Sequence, residues 1–120
     1  MAIRQGDIYH ANLRPPTGSG TGFPQYVVVV QSNLFNSSDI KTVVVCELTS
    51  VLKRAGAPGN VLLVPGEGGL PKHSVVNVSR LVTLDKKRDL GRRIGALDYE
   101  RMPEVLEGLH CMPTGECPDS

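Results

Sequence analysis

The sequence has 120 residues and a formal net charge of +1, with 13 Lys and Arg against 12 Asp and Glu. A chain of this length forms one domain and buries about two-thirds of its unfolded surface, so neither a metal nor a disulfide is needed for folding. The near-zero charge excludes recognition of a partner by net charge alone. No apolar run approaches the roughly 20 residues that span a bilayer and no signal peptide is recognisable, so a soluble cytoplasmic protein is expected.

Short apolar stretches separated by turn residues dominate the chain up to residue 85. They are too short for typical helices and too rich in β-branched residues to favour them. The predicted strands are residues 5–12, 25–31, 41–49, 59–65 and 73–85, the last forming one strand or two. This spacing predicts a small all-β barrel or sandwich.

A long polar loop, LRPPTGSGTGFPQ, runs into four consecutive valines at 27–30. Such a run predicts a stiff, buried strand, and loops that carry chemistry are usually anchored on rigid scaffold. Residues 32–39 and 66–72 are turn-rich. The basic run DKKRDLGRR, residues 85–93, is most simply a solvated charged face.

Only the C-terminal segment has helical periodicity. Its apolar residues fall at spacings of i, i+3, i+4 and i+7, namely Met102, Val105, Leu106 and Leu109. Asp98 is a candidate N-cap, and Pro103 must then lie in the first turn.

The residues give little sign of metal or nucleotide chemistry. His10, His73 and His110 are scattered, and no Walker loop, G-x-S-x-G elbow or strand-to-helix glycine loop is present. Cys46 lies in an apolar run and is expected to be a small buried hydrophobe. Cys111 and Cys117 lack the two further ligands that a zinc site requires, and a disulfide between them on oxidation stays open.

A resemblance extends this interpretation over nearly the whole chain. The opening IRQGDIYHANLRPPTGS resembles the R-G-D-I-Y-x-x-D-L-x-P-x-x-G-S signature of the MazF/PemK family of toxin endoribonucleases. Further matches follow in the same order: VVVVQSNLFN, TVVVCELTS, PGNVLLVPGEGGLPKHSVVNVSRLVTLDK and a terminal amphipathic helix. Five such pieces in series without large gaps are highly specific.

The resemblance implies a mainly β protein with a C-terminal helix (α+β), built on an SH3-like β-barrel of the MazF, PemK and CcdB type. Residues 1–112 would form the toxin domain and 113–120 a flexible tail. Members form homodimers, and we expect apolar strand surface and the terminal helix region at the interface. They cut single-stranded RNA without a metal or other cofactor, leaving 2′,3′-cyclic phosphate and 5′-hydroxyl ends. A MazE-like antitoxin with an acidic disordered tail blocks the groove.

The resemblance also carries over site residues, with one departure. Members place a threonine in a motif like CELTS, which is Thr49 here, and an arginine in an R-P-V-V-V motif. Gln25 stands at the arginine position and Tyr26 at that of the proline. Gly20 and Thr21 replace the acidic and amide residues that often follow in the loop. Glutamine donates hydrogen bonds but has no charge to offset that on a reacting phosphate.

We therefore predict Thr49, Gln25 and a compensating cation as the catalytic groups. Arg54 is the first candidate cation, because it follows Thr49 by five residues in a turn; Arg80 and Arg14 are the second and third. The predicted RNA contacts are Ser19, Lys53, Arg80 and Arg14. Each cation could instead be a solvated surface charge, and Ser19 and Thr49 ordinary turn hydroxyls. A general acid and base pair of His10 and His73 is a further alternative.

Two functions remain open at this level. The first is an active, sequence-specific endoribonuclease toxin, favoured by Thr49 and the intact second half of the pattern. The second is a weakened or inactive relative that binds RNA, antitoxin or gyrase, favoured by the missing arginine.

Overall fold

The computed structural model describes residues 2–13 and 23–116. Six strands and two helices follow in chain order: β1 (Asp7–Leu13), β2 (Phe23–Val29), α1 (Asn33–Asn36), β3 (Thr42–Thr49), β4 (Val61–Leu63), β5 (Ser74–Asp85), β6 (Leu90–Ala96) and α2 (Met102–Thr114). Two short 3-10 turns lie between them, a first turn at Leu52–Gly56 and a second at Glu67–Gly69. No described helix is long and apolar enough to cross a membrane.

The strands form one curled antiparallel sheet in the order β4-β5-β3-β2-β1-β6. The mainly β fold with a C-terminal helix is therefore confirmed. The strand that pairs most extensively is β5, which spans 12 residues and bonds to β3 along both of its halves. It is one strand with a register shift in the middle, where Cys46 faces Leu81 but the next residue, Glu47, faces Asn77. That shift bulges β5 over residues 78–80.

Both faces of the central strands are buried. The first core lies between the sheet and α2 and contains Ile8, Val28, Val30, Cys46, Leu48, Leu63, Leu70, Val76, Val78, Leu97, Met102 and Val105. The second core lies on the other face and contains Ile3, Tyr9, Ala11, Leu13, Val27, Val29, Val43, Val45 and Leu84. Because alternate residues of a strand point to opposite faces, the valine run at 27–30 supplies both cores in turn. A strand buried in this way reads as a continuous apolar run.

The basic run at residues 85–93 is only partly the solvated face that was predicted. Its first half is a turn in which Asp85 Oδ1 accepts hydrogen bonds from the backbone N–H groups of Lys87 and Arg88, at 2.9 and 2.8 Å. Its second half enters β6, which the sequence did not suggest, because LGRRIGA mixes glycine and arginine instead of alternating apolar and polar residues. Arg93 of this strand pairs with the buried Asp7 at 3.2 Å. The turn-rich stretch after β2 likewise contains the single-turn helix α1.

Helix α2 is confirmed, but its N-terminus and its buried face differ from the prediction. The N-cap position is Arg101, whose backbone N–H bonds to the carbonyl of Asp98, and Pro103 lies in the first turn as expected. Leu106 is on the exposed side, whereas Gly108 is buried. A side chain at Gly108 would collide with the carbonyl of Gly59, so the helix backbone itself packs on the loop before β4.

The helix continues to Thr114, so residues 113 and 114 of the predicted tail are helical, and residues 117–120 lie outside the described part.

An apolar groove of about 530 Å³ remains open where α2 meets the sheet. It is lined by Val30, Gln31, Ser32, Phe35, Val44, Leu81, Leu109, Met112 and Pro113. Phe35, Leu81 and Met112 are each about half exposed, at 52, 47 and 51%. Adjacent exposed apolar side chains of this kind are typical of an interaction surface.

We expect a second copy of the chain to cover this groove, so light scattering at micromolar concentration should give a mass near twice 12.9 kDa. Phe35→Lys should shift the mass towards the monomer, because it places a charge among apolar side chains. Tyr99→Lys is the matched control, since Tyr99 is 84% exposed and does not line the groove. A monomeric parent protein, or an unchanged dimer in Phe35→Lys, would contradict this assignment.

Candidate functional site

Polar side chains gather where β2 and β3 part. The ladder between the two strands ends at the pair Val27 and Glu47, although β2 begins at Phe23 and β3 continues to Thr49. Gln25 and Thr49 therefore lie two residues beyond the last pair, at the same open end. On its other side β3 stays paired, with Thr49 opposite Val75 of β5.

Glu47 is the centre of this end of the sheet. Its side chain is 13% exposed, although it lies in the otherwise apolar strand TVVVCELT. Gln25 Nε2 donates a hydrogen bond to Glu47 Oε1 at 3.3 Å, and Arg80 Nε lies 3.0 Å from Glu47 Oε2. The three side chains form the Gln25–Glu47–Arg80 cluster. They continue the face of the sheet that carries the second core, since alternate residues share a face.

The contact between Arg80 and Glu47 is an ion pair without an aligned hydrogen bond. Glu47 Oε2 is enclosed, and no described residue donates an aligned hydrogen bond to it, even though the Arg80 Nε lies 3.0 Å away. The Arg80 side chain is 35% exposed, so its charge is shared between the carboxylate and solvent. Arg80 lies beside Glu47 because it adjoins Leu81, the partner of Cys46 and the last residue of the regular ladder before the bulge.

Thr49 and Arg54 are close along the chain but are not joined to the cluster by any described contact. Thr49 Oγ1 accepts a hydrogen bond from the Val51 backbone N–H at 3.2 Å, as a turn hydroxyl does. Lys53 and Arg54 are exposed on the first 3-10 turn. Asn60 ties that turn to β5: its Nδ2 donates to the Arg54 carbonyl at 2.9 Å, and its Oδ1 accepts from the Val78 N–H at 2.9 Å. The turn thus borders the bulge that carries Arg80.

The remaining predicted residues lie elsewhere or outside the described part. The ring of His10 packs edge-on against Tyr26 with 5.3 Å between centroids, on the opposite face of β2 from Gln25. His73 is exposed just before β5, and no described contact joins it to His10, so nothing supports an acid and base pair. Arg14 and Ser19, like Gly20 and Thr21, lie outside the described residues.

Cys46, next to Glu47, is the buried hydrophobe that was expected. Its Sγ lies 3.4 Å from the Asn77 carbonyl, and the thiol is free. Burial, and after it the charge of Glu47, raises the pKa of the Cys46 thiol to about 12, so it stays protonated and unreactive. Cys111 is buried and disulfide-bonded, while Cys117 lies outside the described residues. No group of three or more metal-ligating side chains occurs in residues 2–13 and 23–116.

Sequence reasoning missed Glu47 and Asn60. A signal for Glu47 was present: it is the one acid in a strand of valines, and it shares a face with Thr49 two residues later. A charged residue inside such a strand is almost never buried unless it is paired. Its partners could not be found from spacing, because Gln25 and Arg80 are 22 and 33 residues away in sequence, and the β5 bulge is not visible in the residue pattern.

Comparisons with known proteins bear on this site. The family of PemK-like, MazF-like toxins of type II toxin–antitoxin systems matches residues 4–112. The chain is 42% identical to endoribonuclease MazF6 of Mycobacterium tuberculosis over 91% of this chain and 95% of that protein. It is 33% identical to endoribonuclease EndoA of Bacillus subtilis, over 91% of this chain and 92% of that protein.

A solved structure supports the fold. A mycobacterial endoribonuclease in complex with its cognate antitoxin superposes with a TM-score of 0.74 and 24% identity, covering 98% of this chain and 100% of that chain.

Replacing Arg80 by alanine should leave the Glu47 carboxylate without its charged partner and lower the free energy of unfolding by about 1–3 kcal/mol. Replacing Glu47 by glutamine in that background should recover part of the loss, because a neutral amide is cheaper to bury than an unpaired charge. Denaturant unfolding at neutral pH measures both. Arg92→Ala, on the exposed face of β6, is the control and should stay within about 0.5 kcal/mol. Equal effects of Arg80→Ala and Arg92→Ala would show that the ion pair does not form.

Proposed function

The chain belongs to the family of PemK-like, MazF-like toxins of type II toxin–antitoxin systems, and on that premise we propose that it is a metal-independent, sequence-specific endoribonuclease acting on single-stranded RNA. The reaction is attack of a ribose 2′-hydroxyl on the adjacent phosphate. An O2′–P bond forms, the P–O5′ bond breaks, and the products carry a 2′,3′-cyclic phosphate and a 5′-hydroxyl. Such chemistry needs a proton acceptor for the 2′-hydroxyl, donors for the phosphate oxygens, and a proton for the leaving O5′.

The observation that carries the proposal is the convergence of polar groups at the open end between β2 and β3. Gln25 supplies an amide, Thr49 a hydroxyl and Arg80 a guanidinium, all beside a carboxylate in an otherwise apolar wall. Preorganised donors aimed at developing charge are usually the largest single contribution to catalysis. We propose that Thr49 and Gln25 contact the scissile phosphate group.

The RNA backbone would run from this end of the sheet over the first 3-10 turn. Lys53 and Arg54 are exposed there, and Asn60 holds the turn against β5. We propose that Lys53, Arg54 and Arg80 bind RNA phosphates. Arg14 and Ser19, from the loop, are proposed to contribute as well. Because the substrate is RNA, the activity is proposed to be cytoplasmic.

A second candidate function is a binding module without catalysis. The specific observation in its favour is that Gln25 replaces an arginine and its amide N–H already donates to Glu47. In that case the same surface would still bind RNA, antitoxin or gyrase. The partners proposed for the toxin are a second copy of this chain and an antitoxin with an acidic, disordered segment.

Incubation with long RNA in excess EDTA should give discrete fragments with 5′-hydroxyl ends, since the proposed groups act on the phosphate as hydrogen-bond donors and cations. The ends are identified by a ligase that joins only 5′-hydroxyl RNA. Thr49→Ala should cut roughly 10²-fold more slowly, in the range for a lost donor to the developing charge. Intact RNA with the parent protein, while RNA binding persists, would favour the binding module. Fragments with 5′-phosphate ends would contradict the mechanism.

An acidic antitoxin segment should bind more weakly as salt rises, because its carboxylates would compete for the cations that hold RNA phosphates. Calorimetric titration with an acidic antitoxin peptide should show affinity falling by roughly tenfold or more between about 50 and 200 mM salt. Arg54→Ala should reduce the slope of log affinity against log salt by roughly one. An affinity independent of salt would indicate a mainly apolar contact.

A further inference from the structure

We propose that Glu47 is the general base that takes the proton of the 2′-hydroxyl, and that Arg80 exposes it by moving from the carboxylate to the phosphate. This inference rests on the proposed endoribonuclease activity. It assigns to Glu47 and Arg80 the two charged roles that Gln25, a neutral amide, cannot fill.

The burial of Glu47 is not explained by stability. A carboxylate removed from water loses hydration that a partly exposed partner repays only in part, and an apolar residue of similar volume is often as stable or more so. The Glu47 side chain is 13% exposed, it follows Val43 and Val45 on one face of β3, and its only described charged partner is Arg80. A charge kept in such a place points to a chemical role.

Among the described residues, none donates an aligned hydrogen bond to Glu47 Oε2, although Arg80 Nε lies 3.0 Å away. Oε2 is enclosed, while Oε1 is held by Gln25 Nε2 at 3.3 Å. A 2′-hydroxyl is a donor that would satisfy Oε2, and a general base must reach its proton at hydrogen-bond distance. The enclosed atom becomes accessible only when the side chain over it moves.

Arg80 is the side chain suited to move. Its Nε is 3.0 Å from Oε2 without an aligned hydrogen bond, and the side chain is 35% exposed, so the guanidinium can turn from the carboxylate towards a bound phosphate, which then replaces the carboxylate as its charged partner. A guanidinium has five N–H donors in a planar fork that fits two oxygens of a phosphate. One movement would therefore place a positive charge on the phosphate and open the carboxylate to the 2′-hydroxyl.

Gln25 acquires a role of its own, as a positioning residue. Its Oε1 lies 3.2 Å from the Tyr26 backbone N, which donates to it, and its Nε2 donates to Glu47. The amide is thereby oriented with its N–H towards the carboxylate. It holds Glu47 in place after Arg80 has left, without contributing a charge that would compete for the proton.

In the proposed step, the 2′-hydroxyl proton passes to Glu47 while the O2′ electron pair forms the bond to phosphorus. The P–O5′ bond breaks, and O5′ takes its electron pair and a proton from water. Glu47 then releases its proton to solvent. Arg80 and Thr49 stabilise the added negative charge on the phosphate oxygens.

The pH dependence follows from the ionisation of Glu47. Only the carboxylate form accepts a proton, so the cleavage rate should rise with pH along an acidic limb and then level off. Among the described residues, the other charged or titratable side chains on the elements around this end of β3 are Cys46, Arg80, Tyr9, His10, Tyr26, His73, Lys53 and Arg54. Burial raises the pKa of Tyr9, so it stays protonated in the acidic range. Cys46 stays protonated through this range, and the arginines stay charged. The limb is assigned to Glu47 only if it disappears with that carboxyl.

The test is single-turnover cleavage of RNA in EDTA as a function of pH, with the parent protein and four variants. Glu47→Gln should be slower by roughly 10²-fold or more and should lose the acidic limb. Glu47→Ala should be equally slow but should recover activity when formate is added, because a small carboxylate fits the vacated space. Arg80→Ala should be slow and should keep the acidic limb. Glu107→Gln, an exposed carboxyl on α2 remote in sequence from the cluster, should match the parent.

The outcomes test the proposed function and the general-base assignment separately. A parent protein that does not cut RNA contradicts the proposed function itself. A parent that cuts while folded Glu47→Gln keeps both its rate and its acidic limb overturns the general-base assignment alone. A third result also overturns the general-base assignment: Glu47→Ala is slow and does not respond to formate, while Glu47→Gln keeps its acidic limb. Glu47 would then only hold Arg80 in place. Thermal unfolding of each variant confirms that the comparison is between folded proteins.

Discussion

Burial of both faces of β2 and β3 is the constraint on which the rest of the structure depends. The valines of β2 alternate between two cores, and β3 does the same with its valines, Cys46 and Leu48. Because the valines fill the middle of both strands, the polar side chains of this face lie at the last pair of the β2–β3 ladder and beyond it. That is the point at which Gln25, Glu47 and Thr49 lie. The rigid strand therefore fixes the site as well as the core.

The β5 bulge completes the site from the other side. The regular ladder ends at the pair of Cys46 with Leu81, and Arg80 is the bulge residue next to Leu81, beside Glu47. Its Nε lies 3.0 Å from Glu47 Oε2. Asn60 then couples the bulge to the turn bearing Arg54 through two hydrogen bonds. Chemistry and RNA binding are thus proposed for adjacent parts of one surface, supported by β3 and β5.

The sequence predicted the elements with strong periodicity and missed what depends on register. The five early strands and α2 follow from β-branched runs and an i, i+3, i+4 pattern, and Gln25 and Thr49 follow from family motifs. The glycines and arginines of β6 break the alternation that would have predicted a strand. The periodicity predicted a buried Leu106, but the helix backbone packs closely at Gly108 instead. Arg54 is the first candidate cation because it is near Thr49 in sequence, and its role stays a prediction. Arg80, the second candidate, is the arginine that pairs with Glu47.

We propose that a strand carboxylate and a movable arginine replace the charge absent at Gln25. A crystal structure of the protein with RNA whose reacting ribose carries 2′-fluorine, so that the nucleophile is missing, tests this directly. We expect the Arg80 guanidinium within about 3 Å of the scissile phosphate oxygens, and the Glu47 carboxylate facing the 2′ position. A scissile phosphate held by Arg54, with the Arg80 and Glu47 ion pair intact, would contradict it.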